Sequence, residues 1–69
     1  MLQYTHHAKI RMKQRSISTD EVEYCLRNFY TSYPDKGGNT IYVAYTQSKR
    51  RIKVVVAKDN SNIVITVGD

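Results

Sequence analysis

The sequence predicts an α+β domain in which two N-terminal helices pack on a three- to four-stranded antiparallel meander sheet. Three observations predict it. A capping box at Ser18 opens a stretch with helical apolar spacing. After Tyr33 the chain turns to short runs of β-branched and aromatic residues. The connections between those runs are too short for crossover helices, so successive strands must fold back on one another. The expected order is α-α-β-β-β-β, as one domain over residues 1–69.

The first helix candidate is Thr5 to Gln14. Thr5 suits the N-cap, because its hydroxyl can accept a bond from an early N–H that the helix leaves unpaired. Apolar residues are few here (Ala8, Ile10 and Met12), so this helix is expected on the surface of the domain. The second helix is better specified. Ser18 stands at the N-cap and Glu21 at N3, while Ile17 and Val22 occupy the positions of a hydrophobic staple. Asp20 and Glu21 put negative charge at the positive end of the helix dipole. Val22, Cys25, Leu26 and Phe29 form one apolar stripe, and the helix is expected to end near Asn28.

The remaining elements follow from turn chemistry and alternation. Thr31 to Tyr33 is a short extended stretch, expected as a fourth strand at one edge. Pro34 to Asn39, with Gly37 and Gly38, is dense in turn formers. Thr40 to Thr46, Arg51 to Ala57 and Ile63 to Val67 read as strands, joined by Gln47–Arg50 and by a turn at Asp59–Asn62. The expected inward set is Ile41, Val43 and Tyr45; Ile52, Val54 and Val56; Ile63, Ile65 and Val67. The opposite face then carries Tyr42, Ala44, Arg51, Lys53, Val55, Val64 and Thr66. A slip of one residue inverts such an assignment.

Composition limits the function classes. A chain of 69 residues buries only about 60 % of its unfolded surface, so the core is thin and oligomerisation is an open option. Cys25 is the single cysteine, which rules out an internal disulfide and suits a reducing compartment. It sits inside the apolar stripe and reads as core packing rather than as a nucleophile. His6 and His7 diverge on a helix and lack a third ligand, so neither a metal nor another cofactor is expected. No apolar run approaches the length of a membrane span and the N-terminus lacks an apolar signal-peptide core, so a cytoplasmic protein is expected. The net charge of +5, from eleven Lys and Arg against six Asp and Glu, favours anionic partners.

Two groups of residues could use that charge. On a helix, His7, Arg11 and Arg15 fall at i, i+4 and i+8 and stack along one stripe. Like charges so placed do not help a helix hold together, and they make more sense facing an anion. An unperturbed imidazole titrates near neutrality, so a histidine at position 7 could exchange a proton, and Arg11 and Arg15 could grip a phosphodiester. These are the parts needed for metal-independent RNA cleavage, in which the ribose 2′-hydroxyl is the nucleophile. The competing account pairs the arginines with Asp20, Glu21 or Glu23 and packs His7 at the helix–sheet boundary. On the sheet, Arg51 and Lys53 lie two apart and point the same way, with Tyr42 and Thr66 expected beside them. Cations next to an aromatic ring suit a single-stranded nucleic acid, although Tyr, Lys and Arg also make an ordinary soluble strand face.

The string Tyr4-Thr5-x-His7-Ala8-x-x-Arg11-Met12-x-x-Arg15-x-Ile17-Ser18-x-x-x-Val22 resembles the opening of the bacterial "domain of unknown function 4258" family. The ending Asn62-Ile63-Val64-Ile65-Thr66-Val67 is similar to that family's tail. The family in turn resembles the RelE-like toxins and the wider barnase, EndoU, colicin and RelE group of ribonucleases. The resemblance implies a RelE-like fold, a bacterial toxin-type endoribonuclease that needs no metal, and a cognate antitoxin or immunity protein as partner. It marks His7, Arg11, Arg15 and Thr66 as family-pattern positions. RelE-like toxins tend to place basic and aromatic residues late in the chain, whereas the last strand here offers Thr66. The expected site is therefore His7, Arg11 and Arg15 for catalysis, with Tyr42, Arg51, Lys53 and Thr66 holding RNA. The alternative is a module that binds nucleic acid or an acidic protein without catalysis.

Overall fold

Both helices begin as their caps dictate. In the computed structural model, which describes residues 1–69, the Thr5 hydroxyl accepts a bond from the Ala8 N–H at 3.0 Å and starts α1 (His6–Arg15). Ser16 ends it in the left-handed conformation, φ 53°. The capping box is complete in α2 (Thr19–Asn28): Ser18 Oγ accepts from the Glu21 N–H, and Glu21 Oε1 accepts from the Ser18 N–H. Ile17 and Val22, the staple pair, are both buried. Of α1 only Ala8 is fully buried, in keeping with its polar sequence.

Five strands form one sheet: β1 (Gln3–Tyr4), β2 (Thr31–Pro34), β3 (Thr40–Tyr45), β4 (Arg51–Val56) and β5 (Ile63–Gly68), in the order β1-β5-β4-β3-β2. β2 to β5 are the expected antiparallel meander. The expectation of three or four antiparallel strands is corrected at the other edge. Gln3 and Tyr4 pair parallel with Ile63 and Val64, so the sheet is mixed and has five strands. A two-residue strand has no periodicity to read, and its partner lies at the far end of the chain.

The β2–β3 turn is held by Asp35, whose Oδ1 accepts from the Gly37 and Asn39 N–H groups at 2.8 and 2.9 Å. Gly38 adopts φ +86°, a conformation that favours glycine. In the β3–β4 loop, the Thr46 hydroxyl accepts from the Arg50 N–H at 3.2 Å, and Lys49 takes φ 67°.

The helices cover one face of the sheet. Tyr42 and Ala44 of β3, Ile52, Val54 and Val56 of β4, and Val64 and Val67 of β5 meet Ala8, Met12, Ile17, Val22, Cys25 and Leu26 there. Two parts of the expected inward set are corrected. In β3 the phase is inverted: Ala44 pairs with Ile52 and Tyr42 with Val54, which leaves Ile41, Val43 and Tyr45 on the far side. In β5 a bulge makes Ile65 an extra residue between the pairs Val55–Thr66 and Val56–Val64. Val64 and Val67 can then both face the core, which strict alternation forbids.

No element packs on the opposite face. Val43 is nonetheless fully buried on it, flanked across the strands by Thr31 and Lys53. A lysine stem roofing an apolar neighbour while its ammonium stays in water accounts for this.

Candidate nucleic-acid interface

α1 runs beside the part of β5 that lacks a strand partner. β1 ends at Tyr4, and beyond Val64 two α1-region side chains serve the bare edge. Thr5 Oγ1 donates to the Ile65 carbonyl at 2.7 Å, and Arg11 Nε donates to the Val67 carbonyl at 3.4 Å. Side chains thus replace some of the hydrogen bonds a further strand would supply. Arg11 reaches further still. A Cβ built on Gly68 would stand 3.8 Å from Arg11 Nη2. Gly68 is the cross-strand partner of Lys53, on the open face. The guanidinium of Arg11 therefore turns around the sheet edge and meets the face that carries Lys53 and Arg51.

That reach brings Arg11, from the helix group, to the β5 edge of the face that carries the sheet group. His7 is exposed and lies one turn before Arg11, between the levels at which Thr5 meets Ile65 and Arg11 meets Val67. Thr66, paired with Val55, faces the open side at that level. Arg15 lies one turn beyond Arg11 and is an ion-pair partner of Asp69 at 3.7 Å.

Asp69 is held chiefly by a residue that the sequence pattern places in a loop. Arg50 Nη2 contacts Asp69 Oδ2 at 2.7 Å, and the same guanidinium donates to the Arg15 and Ser16 carbonyls at the end of α1. A cation on the last carbonyls of a helix suits the negative end of its dipole. The hydrogen bond from Arg50, with added attraction from Arg50 and Arg15, lowers the Asp69 carboxyl below its ordinary value. The folded form is favoured by this pair above the ordinary carboxylate range, and the benefit is lost as pH falls through the lowered value. At so exposed a site solvent screens the pair.

Tyr42 is not part of this surface, and its expected RNA-contacting position is corrected. It faces the helices, with its ring 4.7 Å from that of Phe29, beside a shallow groove shared with Leu2 and Leu26. Its place on the open face belongs to other tyrosines. Tyr45 pairs with Arg51 and Tyr33 with Ile41. Tyr30 lies just before β2 and stacks on Tyr45, with centroids 5.4 Å apart and planes 16° from parallel. Arg51 Nε donates to the Tyr30 hydroxyl at 3.1 Å, and this bond is the first cause of the raised Arg51 pKa. A signal for Tyr45 existed in the sequence: folding the β3–β4 hairpin symmetrically about Ser48 sets Tyr45 opposite Arg51.

The acids of α2 and the cations of the open face lie on opposite sides of the sheet. The open face, read from the strand registers, carries Arg51 and Lys53 and no carboxylate. Neither cation belongs to an ion pair, since the pairs of this chain are Arg15–Asp69, Arg50–Asp69 and Arg27–Glu23. Asp20, Glu21 and Glu23 all lie on α2, across the sheet. Cys25 is buried against β3, where burial pushes its thiol up to about 11, so it stays protonated and inert near neutrality. No group of three or more His, Cys, Asp or Glu is placed to hold a metal ion, and no helix is long and apolar enough to cross a membrane.

Fold and surface together define a class: a small α+β domain with helices on one face of a mixed sheet and a basic, aromatic surface on the other. The particular family is known by sequence. The chain belongs to the family described as Domain of unknown function (DUF4258), whose model matches residues 4–69. No curated protein and no solved structure matches it.

Proposed function

We propose that this domain is a RelE-like, toxin-type endoribonuclease that cleaves RNA without a metal. The observation that carries the reading is the reach of Arg11 along β5 to Gly68, which brings one residue of the helix stripe beside the strand pair that bears Lys53. In the proposed reaction His7 removes the proton from a ribose 2′-hydroxyl. The 2′-oxygen forms a bond to the adjacent phosphorus, and the bond from phosphorus to the 5′-oxygen breaks. The departing 5′-oxygen takes a proton from water and the protonated His7 returns its own to solvent, leaving a 2′,3′-cyclic phosphate and a 5′-hydroxyl. Arg11 and Lys53 neutralise the non-bridging oxygens, where charge grows in the transition state. Arg15, restrained by Asp69, adds positive potential at the end of the stripe, and Thr66 lines the path between His7 and Lys53.

Such a nuclease in a cell needs restraint, so a cognate antitoxin or immunity protein is the proposed partner. Its chemistry should be acidic, to cover a face that has cations and no carboxylate. The proposed compartment is the cytoplasm, where RNA is at hand.

The test is cleavage of a long RNA by purified protein, with and without chelator, beside His7→Ala. Cleavage that resists chelator and falls about 10²- to 10⁴-fold in the variant is expected for loss of a general base. An unchanged rate in His7→Ala removes the role given to His7. One further reading is favoured by a specific observation. The Tyr30–Tyr45–Arg51 array needs no chemistry to be useful, and a module that binds RNA without cutting it would use the same face. Binding with a steep salt dependence and no turnover would select that reading.

A further inference from the structure

We propose that Tyr30, Tyr45 and Arg51 form a stacking platform for an unpaired nucleobase, so that the open face takes single-stranded RNA in preference to a duplex. This deepens the proposed function and rests on its RNA-contacting half.

Three features support the platform. Tyr30 and Tyr45 are 55 % and 54 % exposed although they stack on each other, so ring area remains open to a third planar group. A free aromatic pair of this kind gains from stacking a base, whichever base it is, because every base presents a π-face. The pair is also preorganised: Arg51 holds the Tyr30 hydroxyl at 3.1 Å, so little side-chain freedom remains to be lost on binding. Charge complements the ligand as well. Arg51 and Lys53 have no carboxylate partner on their face, so they are free to meet phosphates.

The arrangement also favours an unpaired strand. In a duplex the bases are stacked on one another and only the phosphates are offered to a flat sheet. A single strand can turn a base onto the tyrosines while its backbone passes Lys53 toward Arg11. The base rests beside the Tyr45 end of β4 and the phosphate beside the Lys53 end, two residues along the same strand.

The experiment measures binding by fluorescence anisotropy with 2′-O-methyl RNA, which cannot supply the attacking hydroxyl. Three probes of equal length are compared at one salt concentration: a single strand, the same strand with abasic residues throughout, and a duplex. Wild-type protein is expected to bind the base-bearing strand about 5- to 100-fold more tightly than the abasic one. Joint Tyr30→Ala and Tyr45→Ala should bring that ratio close to one, while Tyr45→Phe should keep it. Equal wild-type affinity for the base-bearing and abasic strands overturns the platform, as does tighter binding of the duplex. The wild-type comparison stands even if the double variant fails to fold. A preserved ratio without cleavage of ordinary RNA would sink the nuclease reading and leave the platform in place. Cleavage with no base dependence would do the reverse.

Discussion

The covered and open faces of the sheet are made from the same strands, residue by alternate residue, yet they carry opposite chemistry. Ala44, Ile52, Val54, Val64 and Val67 face the helices and are wholly or almost wholly buried. Between them, Tyr45, Arg51, Lys53 and Thr66 face outward with no layer above them. Of the six acidic side chains, three sit on α2, behind the covered face, and the others, Asp35, Asp59 and Asp69, lie in turns or at the end of the sequence, so no strand of the open face carries one. A soluble sheet face needs polarity only, and mixed charges would serve. Cations without acids, beside stacked tyrosines, are what an anionic aromatic ligand requires. In a domain this small, period two therefore separates the helix-covered core from the face proposed to meet RNA, with Val43 the one fully buried side chain on the latter.

The largest expected effect breaks the covered face. Ile52→Ala should cost about 2–5 kcal/mol in urea unfolding, from lost burial and the cavity left behind. Lys53→Gln, at its neighbour in sequence and long enough to keep Val43 covered, should stay within about 0.5 kcal/mol. Similar costs for the two would mean that the faces are not divided as described.

Next comes the open face itself. Replacing Arg51 and Lys53 together by Gln should flatten the dependence of log affinity on log salt for single-stranded RNA. The slope should change by about 0.7 for each phosphate that is no longer neutralised, with the urea midpoint held. An unchanged slope would take both residues out of the interface.

Two smaller effects probe the core from within. With its thiol pushed up to about 11, Cys25 should resist alkylation in the native state from neutral to mildly alkaline pH and react once urea unfolds the chain. Rapid labelling of the native protein would show the space between α2 and β3 to be open. Tyr4 buries a hydroxyl with no hydrogen-bond partner. Tyr4→Phe removes that unsatisfied group and should be neutral or stabilising by up to about 1 kcal/mol. A clear loss of stability would mean that the hydroxyl is bonded after all.

Much of this division was legible in the sequence, and its failures have physical causes. Both helix starts were written in local chemistry, since Thr5 and Ser18 bond to N–H groups three residues on. The phase of β4 was fixed by charge, because Arg51 and Lys53 cannot face a core. β3 gave no such mark: Tyr42, Val43, Ala44 and Tyr45 are acceptable on either side, and only pairing across to Ile52 decides between them. In β5 the run Ile63 to Val67 contains no polar residue before Thr66, so nothing local announces the extra residue at Ile65. β1 and the Arg50–Asp69 pair depend on contacts between distant parts of the chain. The stripe of His7, Arg11 and Arg15 was legible as a spacing, while the turn of Arg11 around the sheet edge required the fold.

Arg11 has two employers. Its Nε closes a gap in the hydrogen bonding of β5, while the rest of its guanidinium faces outward beside Gly68. A descendant of this chain that gave up RNA altogether would still need something to occupy that edge. Persistence of an arginine at this position among relatives would thus say little about whether they cut RNA, and the fate of His7, which bonds to nothing in its own chain, would say much more.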